Sequence, residues 1–195
     1  MANSDEMNLT EIKRRVIDAA AGLIEQKGRG ATVEAIAAAA GVSVPVTYQF
    51  IKKPTEIMLL IMDNLQKSFS QGIEGRLSED PVKALAEAVT RYYQVVDRER
   101  SKVMLVYRNS RDLDQQGRAK IMALEMETKA IFQSIIEDGV NAGVFQAPAP
   151  DLAAYDIIMM GHMWSLKQWY FRELGIDLEH FIGVQINLLM RMLQA

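Results

Sequence analysis

TVEAIAAAAGVSVPVTYQFIKK, residues 32–53, decides the fold. An alanine-rich helical stretch runs into Gly41, and a second, shorter stretch starts at once. Thr32 is placed to cap the first helix and Ser43 the second. Gly41 permits the positive φ that a tight turn needs. Pro45 fits the first turn of the second helix, where backbone N–H groups lack intrahelical partners. Ala37 and Ala38 are small enough for close helix packing, and Val42 is placed to plug the gap between the helices. Helix, glycine turn, helix is the helix-turn-helix pattern, whose second helix enters the major groove of DNA. The basic exit Lys52-Lys53 suits phosphate contact, although two lysines at a helix end also serve as a solvated exit.

Working outward, nearly every segment has a helical period and none alternates cleanly at period two. Upstream, Ile12, Val16, Ala19, Ala20, Leu23 and Ile24 form one face of a helix predicted to start at Thr10 and stop at Lys27-Gly28. The helix after Ser43 is predicted to reach about Phe50. Downstream, Pro54 is predicted to open a fourth helix ending near Gly72–Gly75, and Asp80-Pro81 a fifth. A sixth covers about 101–110 and a seventh about 116–141, stopping at Gly143. Asp151 is the predicted cap of an eighth helix running to about Leu174, and Gly175 precedes a ninth from Asp177. The expected fold class is all-α with about nine helices: a three-helix domain at residues 1–54, and a larger bundle at 55–195.

Composition bounds the function. The chain has 195 residues, 49% of them apolar, and a net charge of −3, so a polycationic tail is excluded and a local basic patch is not. It has no cysteine, which rules out disulfides and Cys-based zinc sites. The N-terminal MANSDEMNLTEIKRR lacks the layout of a secretory signal. The longest uncharged apolar stretch, IIMMGHMWSL at 157–166, is half of the roughly 20 residues that span a bilayer. A cytoplasmic location is expected.

VIDAAAGLIEQKG, then T-V-x-x-I-A-x-x-A-G-V-S, then Tyr48 and Lys52, resembles the N-terminal domain of TetR-type (TetR/AcrR) transcriptional regulators over about residues 12–60. The resemblance implies a homodimer on a palindromic double-stranded DNA operator, and a C-terminal core whose small-molecule effector releases the DNA. By position it implies backbone contacts from Tyr48 and Lys52 and a phosphate contact at Thr32, with bases read at Val44, Pro45 and Val46 and assistance from Gln49. Lys53 joins Lys52 as a phosphate-neutralising group. Tyr48 also fits a half-buried aromatic, and Val44 and Val46 also fit plain packing. The valines offer only methyl contacts to thymine, so weak direct readout is expected. Val44-Pro45 stands where many members have Lys-Gly, Phe50-Ile51 and Pro54-Thr55 also depart, and Glu34 is acidic. Residues 1–55 hold seven Lys/Arg against six Asp/Glu.

Eight of the twelve methionines fall from Met104 onward in the bundle, where they line adaptable cavities or fill an ordinary core. Candidates for an effector site on inward faces are Tyr92, Val96, Met104, Arg108, Met122, Met126, Met159 and His162. His162 is either a hydrogen-bonded core residue or a ligand contact. Arg108, beside Arg111 and ahead of Arg118 and Lys120, is either surface charge or an anion clamp. The segment VYRNSRDLDQQGRAKIMALEMETKAIFQSIIEDGVNAGVF looks like ligand domains of TetR-type regulators that sense fatty-acyl or related CoA thioesters.

The last two helices are apolar on more than one face, which calls for burial on both sides. The family resemblance implies that they pair with their symmetry mates, with Ile157, Met160, Trp164, Phe181, Val184 and Leu188 at the dimer interface. No enzyme is expected: the two histidines are eighteen residues apart, and there is no HExxH, Glu-x-x-His repeat or glycine-rich phosphate loop. No cofactor or metal is expected. The alternative to a regulator is a helical ligand-binding or interaction module with a non-functional helix-turn-helix.

Overall fold

The computed structural model describes residues 2–27, 31–52, 56–73, 75 and 77–194. Among the described residues every regular element is helical. In chain order they are α1 (Ala2–Lys27), α2 (Val33–Ala40), α3 (Val44–Thr47), α4 (Glu56–Ile73), α5 (Pro81–Arg98), α6 (Arg100–Asn109), a 3-10 turn (Ser110–Asp112), α7 (Gln115–Asn141), α8 (Pro150–Leu166), α9 (Gln168–Glu173) and α10 (Leu178–Gln194). None of these helices is long and apolar enough to cross a membrane.

The chain divides into two compact units, one of residues 1–65 and 104–120, the other of 66–103 and 121–195. In the first, α1 packs on α2 and α2 on α3. Its buried side chains recur at helical spacing: Val16, Ile17, Ala20 and Ala21 on α1, then Val33, Ile36, Ala37 and Ala40 on α2. Ala38, expected at that contact, is exposed; Ala40 takes its place. Ile57, Ile61, Met62 and Leu65 are the buried side chains of the part of α4 that belongs to this unit.

In the second unit α5 packs on α8 and α10. Gly161 of α8 is needed there, because a Cβ would lie 3.0 Å from ring carbons of both Tyr92 and Tyr93 on α5. Trp164, Phe171 and Phe181 form an aromatic cluster with ring centroids 5.0–5.1 Å apart, in the range where such pairs attract. The Trp164 indole N–H donates to Asp97 Oδ1 at 2.8 Å, which satisfies its polar edge. Beside the α5–α6 junction, Glu99 is mostly buried and accepts from Lys102 Nζ at 2.8 Å and from the Ser68 hydroxyl at 3.1 Å. Burial pushes the Glu99 carboxyl up, but Lys102 and Ser68 outweigh it and hold the group below its usual range.

Several predicted boundaries move. Helix α1 begins at Ala2, so Thr10 is an interior residue and not a cap; no Gly or Pro precedes it to interrupt a helix. Helix α3 stops at Thr47 instead of Phe50. Asp151 lies inside the first turn of α8, behind Ala149 at the cap position and Pro150, where a carboxylate still favours the positive helix end. The predicted eighth helix is two, broken at Lys167 (φ −119°, ψ 28°), and the redirected α9 brings Phe171 onto Trp164 and Phe181. There are thus ten α-helices among the described residues, not nine. Gly143 (φ 72°) and Gly175 (φ 64°) stop their helices as expected. Gly28, the predicted stop of the first helix, and Pro54, the predicted start of the fourth, lie outside the described residues.

Candidate functional site

The site in the first unit is built on the turn between α2 and α3. Thr32 is extended and its Oγ1 accepts from the Ala35 N–H at 3.3 Å, closing the start of α2. Gly41 sits in the left-handed region at φ 64°, and the following N–H of Val42 returns to the Ala37 carbonyl at 3.0 Å. That closure is a Schellman-type stop, and it aims the chain into α3. Ser43 takes the extended conformation of a cap, but its side chain makes no capping bond, contrary to expectation. The local anchor is Thr47 instead, fully buried, whose hydroxyl donates to the Ser43 carbonyl at 3.2 Å.

Thr47 and Ile51 are fully buried and fix one side of the recognition segment. The opposite side is open: Pro45, Tyr48, Gln49 and Lys52 are exposed, Tyr48 at 43%. Val44 and Val46 are half-buried, and Thr32 is exposed. Lys53 lies outside the described residues. Tyr48 therefore stands out from the surface more than a packed aromatic would. This side offers a phenol, an amide, a cation and an apolar ring between Pro45 and Lys52, a set suited to a phosphate backbone and base edges.

One participant was not foreseen. Arg15 of α1 donates through Nη2 to the Ala40 carbonyl, and to the Gly41 carbonyl at 3.3 Å. No signal in the sequence links position 15 to position 41.

In the second unit the effector candidates separate. Tyr92 and Val96 are fully buried and His162 nearly so. The Tyr92 hydroxyl shares a hydrogen bond with His162 Nε2 at 3.1 Å, and burial lowers the imidazole pKa to about 4. At neutral pH the ring is uncharged. Met122, Met126 and Met159 do not face inward: they are 65%, 47% and 37% exposed. The buried stripe of α7 runs through Leu124, Thr128, Phe132 and Ile136, and a methionine two positions from Leu124 points to the far side of the helix. Met159 lies off the α8 face that carries Ile157, Ile158, Gly161 and His162.

Met104 is half-buried and belongs, like Arg108, to the first unit. Arg108 is exposed and lies 3.6 Å from Glu25, Lys120 pairs with Asp63 at 2.6 Å, and Arg118 donates to the Leu113 carbonyl at 2.6 Å. An inward Arg108 is thereby corrected, and the geometry matches surface charge. The dimer candidates divide too. Ile157, Trp164 and Phe181 are buried within the chain's own core, so they present no face to a partner; Met160, Val184 and Leu188 are exposed.

Residues 78–193 match the family model described as tetracyclin repressor-like, C-terminal domain, and residues 16–50 that of bacterial regulatory proteins, tetR family. The chain is 30% identical over 172 residues to the HTH-type transcriptional regulator HbdR of Aromatoleum sp. (strain CIB), covering 86% of this chain and 75% of that one. A bacterial regulatory protein in the tetR family from Rhodococcus RHA1 has a TM-score of 0.79 at 24% identity, over 94% of this chain and 97% of the other. AibR in complex with isovaleryl coenzyme A and operator DNA has a TM-score of 0.74 at 20% identity, over 92% and 98%. At these identities the two structures speak to the fold alone.

Proposed function

The chain belongs to the tetR family of bacterial regulatory proteins, and from that premise we propose a ligand-responsive repressor that binds a palindromic operator as a homodimer and leaves it when a small apolar or amphipathic effector binds. The observation that carries the DNA half is the open side of the recognition segment, with Tyr48, Gln49 and Lys52 exposed over buried Thr47 and Ile51. Residues 1–54 act as the DNA-binding part and 55–195 as the ligand-binding and dimerisation part. Thr32, Tyr48, Lys52 and Lys53 contact phosphates. Pro45 and Gln49 lie nearest the bases, with Val44 and Val46 contributing methyl contacts at most.

For the effector we propose a fatty acid or acyl-CoA thioester, received near Tyr92, Val96 and His162. The buried side chains of α5 and α8 around these residues are mostly apolar, which suits an acyl chain, and AibR, with a similar fold, is in complex with isovaleryl coenzyme A. Release is a population shift. The dimer holds its recognition helices about 34 Å apart, one DNA turn, and an effector that favours a splayed state takes them off register.

The test is fluorescence anisotropy on a duplex selected from random-sequence DNA by the wild-type protein, in a salt series. Lys52→Ala should weaken binding to operator and non-operator DNA alike and reduce the salt slope by about 0.9. Absence of binding at low salt would overturn the regulator in favour of a helical module. Failure of isovaleryl-CoA and longer acyl-CoAs to raise the melting temperature or release the DNA would remove the effector assignment alone.

A further inference from the structure

The last turn of α2 is built from alanines, and no basic residue stands in it. Its final carbonyls carry the negative end of the helix dipole, and alanine offers nothing to meet them. The neighbouring helix supplies the missing cation. Arg15 Nη2 reaches the carbonyls of Ala40 and Gly41, the two residues at the bend before α3. The adjacent Arg14 behaves differently: it pairs with Glu11 and Asp18 of its own helix. Two arginines side by side thus make different contacts, and it is Arg15 that ties α1 to the turn.

The contact is tight. A Cβ at Gly41 would lie 2.7 Å from Arg15 Nη2, so the guanidinium occupies the space beside the glycine. The bend at Gly41 sets the direction in which Ser43, and then Pro45, Tyr48 and Gln49, leave α2. A group fixing two consecutive carbonyls at the bend fixes that direction more narrowly than packing alone. The need is acute here, because Val44 and Val46 give little direct readout and the operator must be recognised through shape and register.

We infer that Arg15 is a positioning residue for operator recognition: it acts through the α2 C-terminus to hold the recognition segment in register, without contacting DNA. This rests on the DNA-binding reading above.

The experiment uses the full-length protein carrying Arg15→Met, which keeps the aliphatic stem, and Arg15→Lys, which keeps the charge without the fork. Each is titrated against the selected duplex and a scrambled one in a salt series, beside a thermal melt. Arg15→Met should weaken operator binding about tenfold, the order of one mismatched base pair. Affinity for the scrambled duplex and the salt slope should stay as in wild type, and Arg15→Lys should fall between. A slope reduced by about 0.9 would make Arg15 a phosphate contact and overturn the inference. So would a lowered melting temperature with operator affinity unchanged, which marks a purely structural role. If Arg15→Met fails to fold, Arg15→Lys decides by the same readouts. Wild-type protein that binds no duplex would sink the DNA-binding reading itself, an outcome distinct from wild type binding and both variants matching it.

Discussion

Tyr92 and His162, seventy residues apart in sequence, meet at 3.1 Å between phenol oxygen and imidazole Nε2 in the interior of the second unit. The bond joins α5 to α8, and burial holds the imidazole neutral with a pKa of about 4. An unfolded histidine titrates near 6.5. Above that value both states carry a neutral ring and the contribution to stability is complete. As pH falls from 6.5 toward 4, the unfolded chain takes up a proton that the folded chain refuses, and stability drops by up to about 3 kcal/mol. Below 4 this loss levels off. Urea midpoints at pH 7 and pH 4.5 should therefore separate more in wild type than in His162→Gln. Equal separations would show that folding does not hold the His162 pKa below its unfolded value.

Gly161→Ala should destabilise the protein by about 1–3 kcal/mol through overpacking. The added methyl would meet the Tyr92 and Tyr93 rings at 3.0 Å. Neither ring can easily swing away, since Tyr92 bonds His162 and the Tyr93 hydroxyl donates to the Ile157 carbonyl at 3.1 Å. Gly22→Ala on α1 is the control, because nothing lies within 4 Å of its Cβ position. It should be neutral or gain up to about 1 kcal/mol from helix propensity. Chemical denaturation of both variants checks the contrast.

Gly41→Ala combines two costs. A left-handed backbone costs an L-residue about 1–2 kcal/mol, and the new methyl displaces the Arg15 guanidinium from its carbonyls. Gly41→Asn tolerates that backbone better and should lose less. Thermal melts that rank Ala above Asn in stability would contradict this account of the turn.

The turn itself was legible in sequence because it depends on local chemistry: a cap-type Thr32, an obligatory Gly41 and a first-turn Pro45 each act within a few residues. The same locality explains Asp80, whose carboxylate accepts from the Val82 N–H at 2.9 Å at the start of α5 as its sequence suggested. What escaped is non-local. The partner of Arg15 lies twenty-five residues away, and the break at Lys167 follows no Gly or Pro but coincides with the meeting of Phe171, Trp164 and Phe181. The methionines of α7 misled because a helix with apolar residues on several faces does not reveal which face is inside. Burial of Leu124 and Phe132 leaves Met122 and Met126 outside.

That same ambiguity in the last helices gives the sharpest prediction about assembly. Trp164 and Phe181 are buried in the chain's own aromatic cluster, whereas Leu188 is 55% exposed, with Val184 and Met192 one turn to either side on α10. An exposed stripe at spacing four on an apolar helix is the surface a second copy would cover. In a twofold interface a single substitution appears twice, so Leu188→Glu sets two carboxylates into an apolar contact. It should shift the sedimentation coefficient from dimer to monomer. The protomer's own stability should change by no more than about 0.5 kcal/mol, as for other surface positions. Trp164→Ala should do the reverse: lose about 3–5 kcal/mol of stability from the cavity it leaves. Sedimentation velocity beside a thermal melt separates the two effects. Leu188→Glu protein that still sediments as a dimer would place the contact elsewhere and remove α10 from the interface.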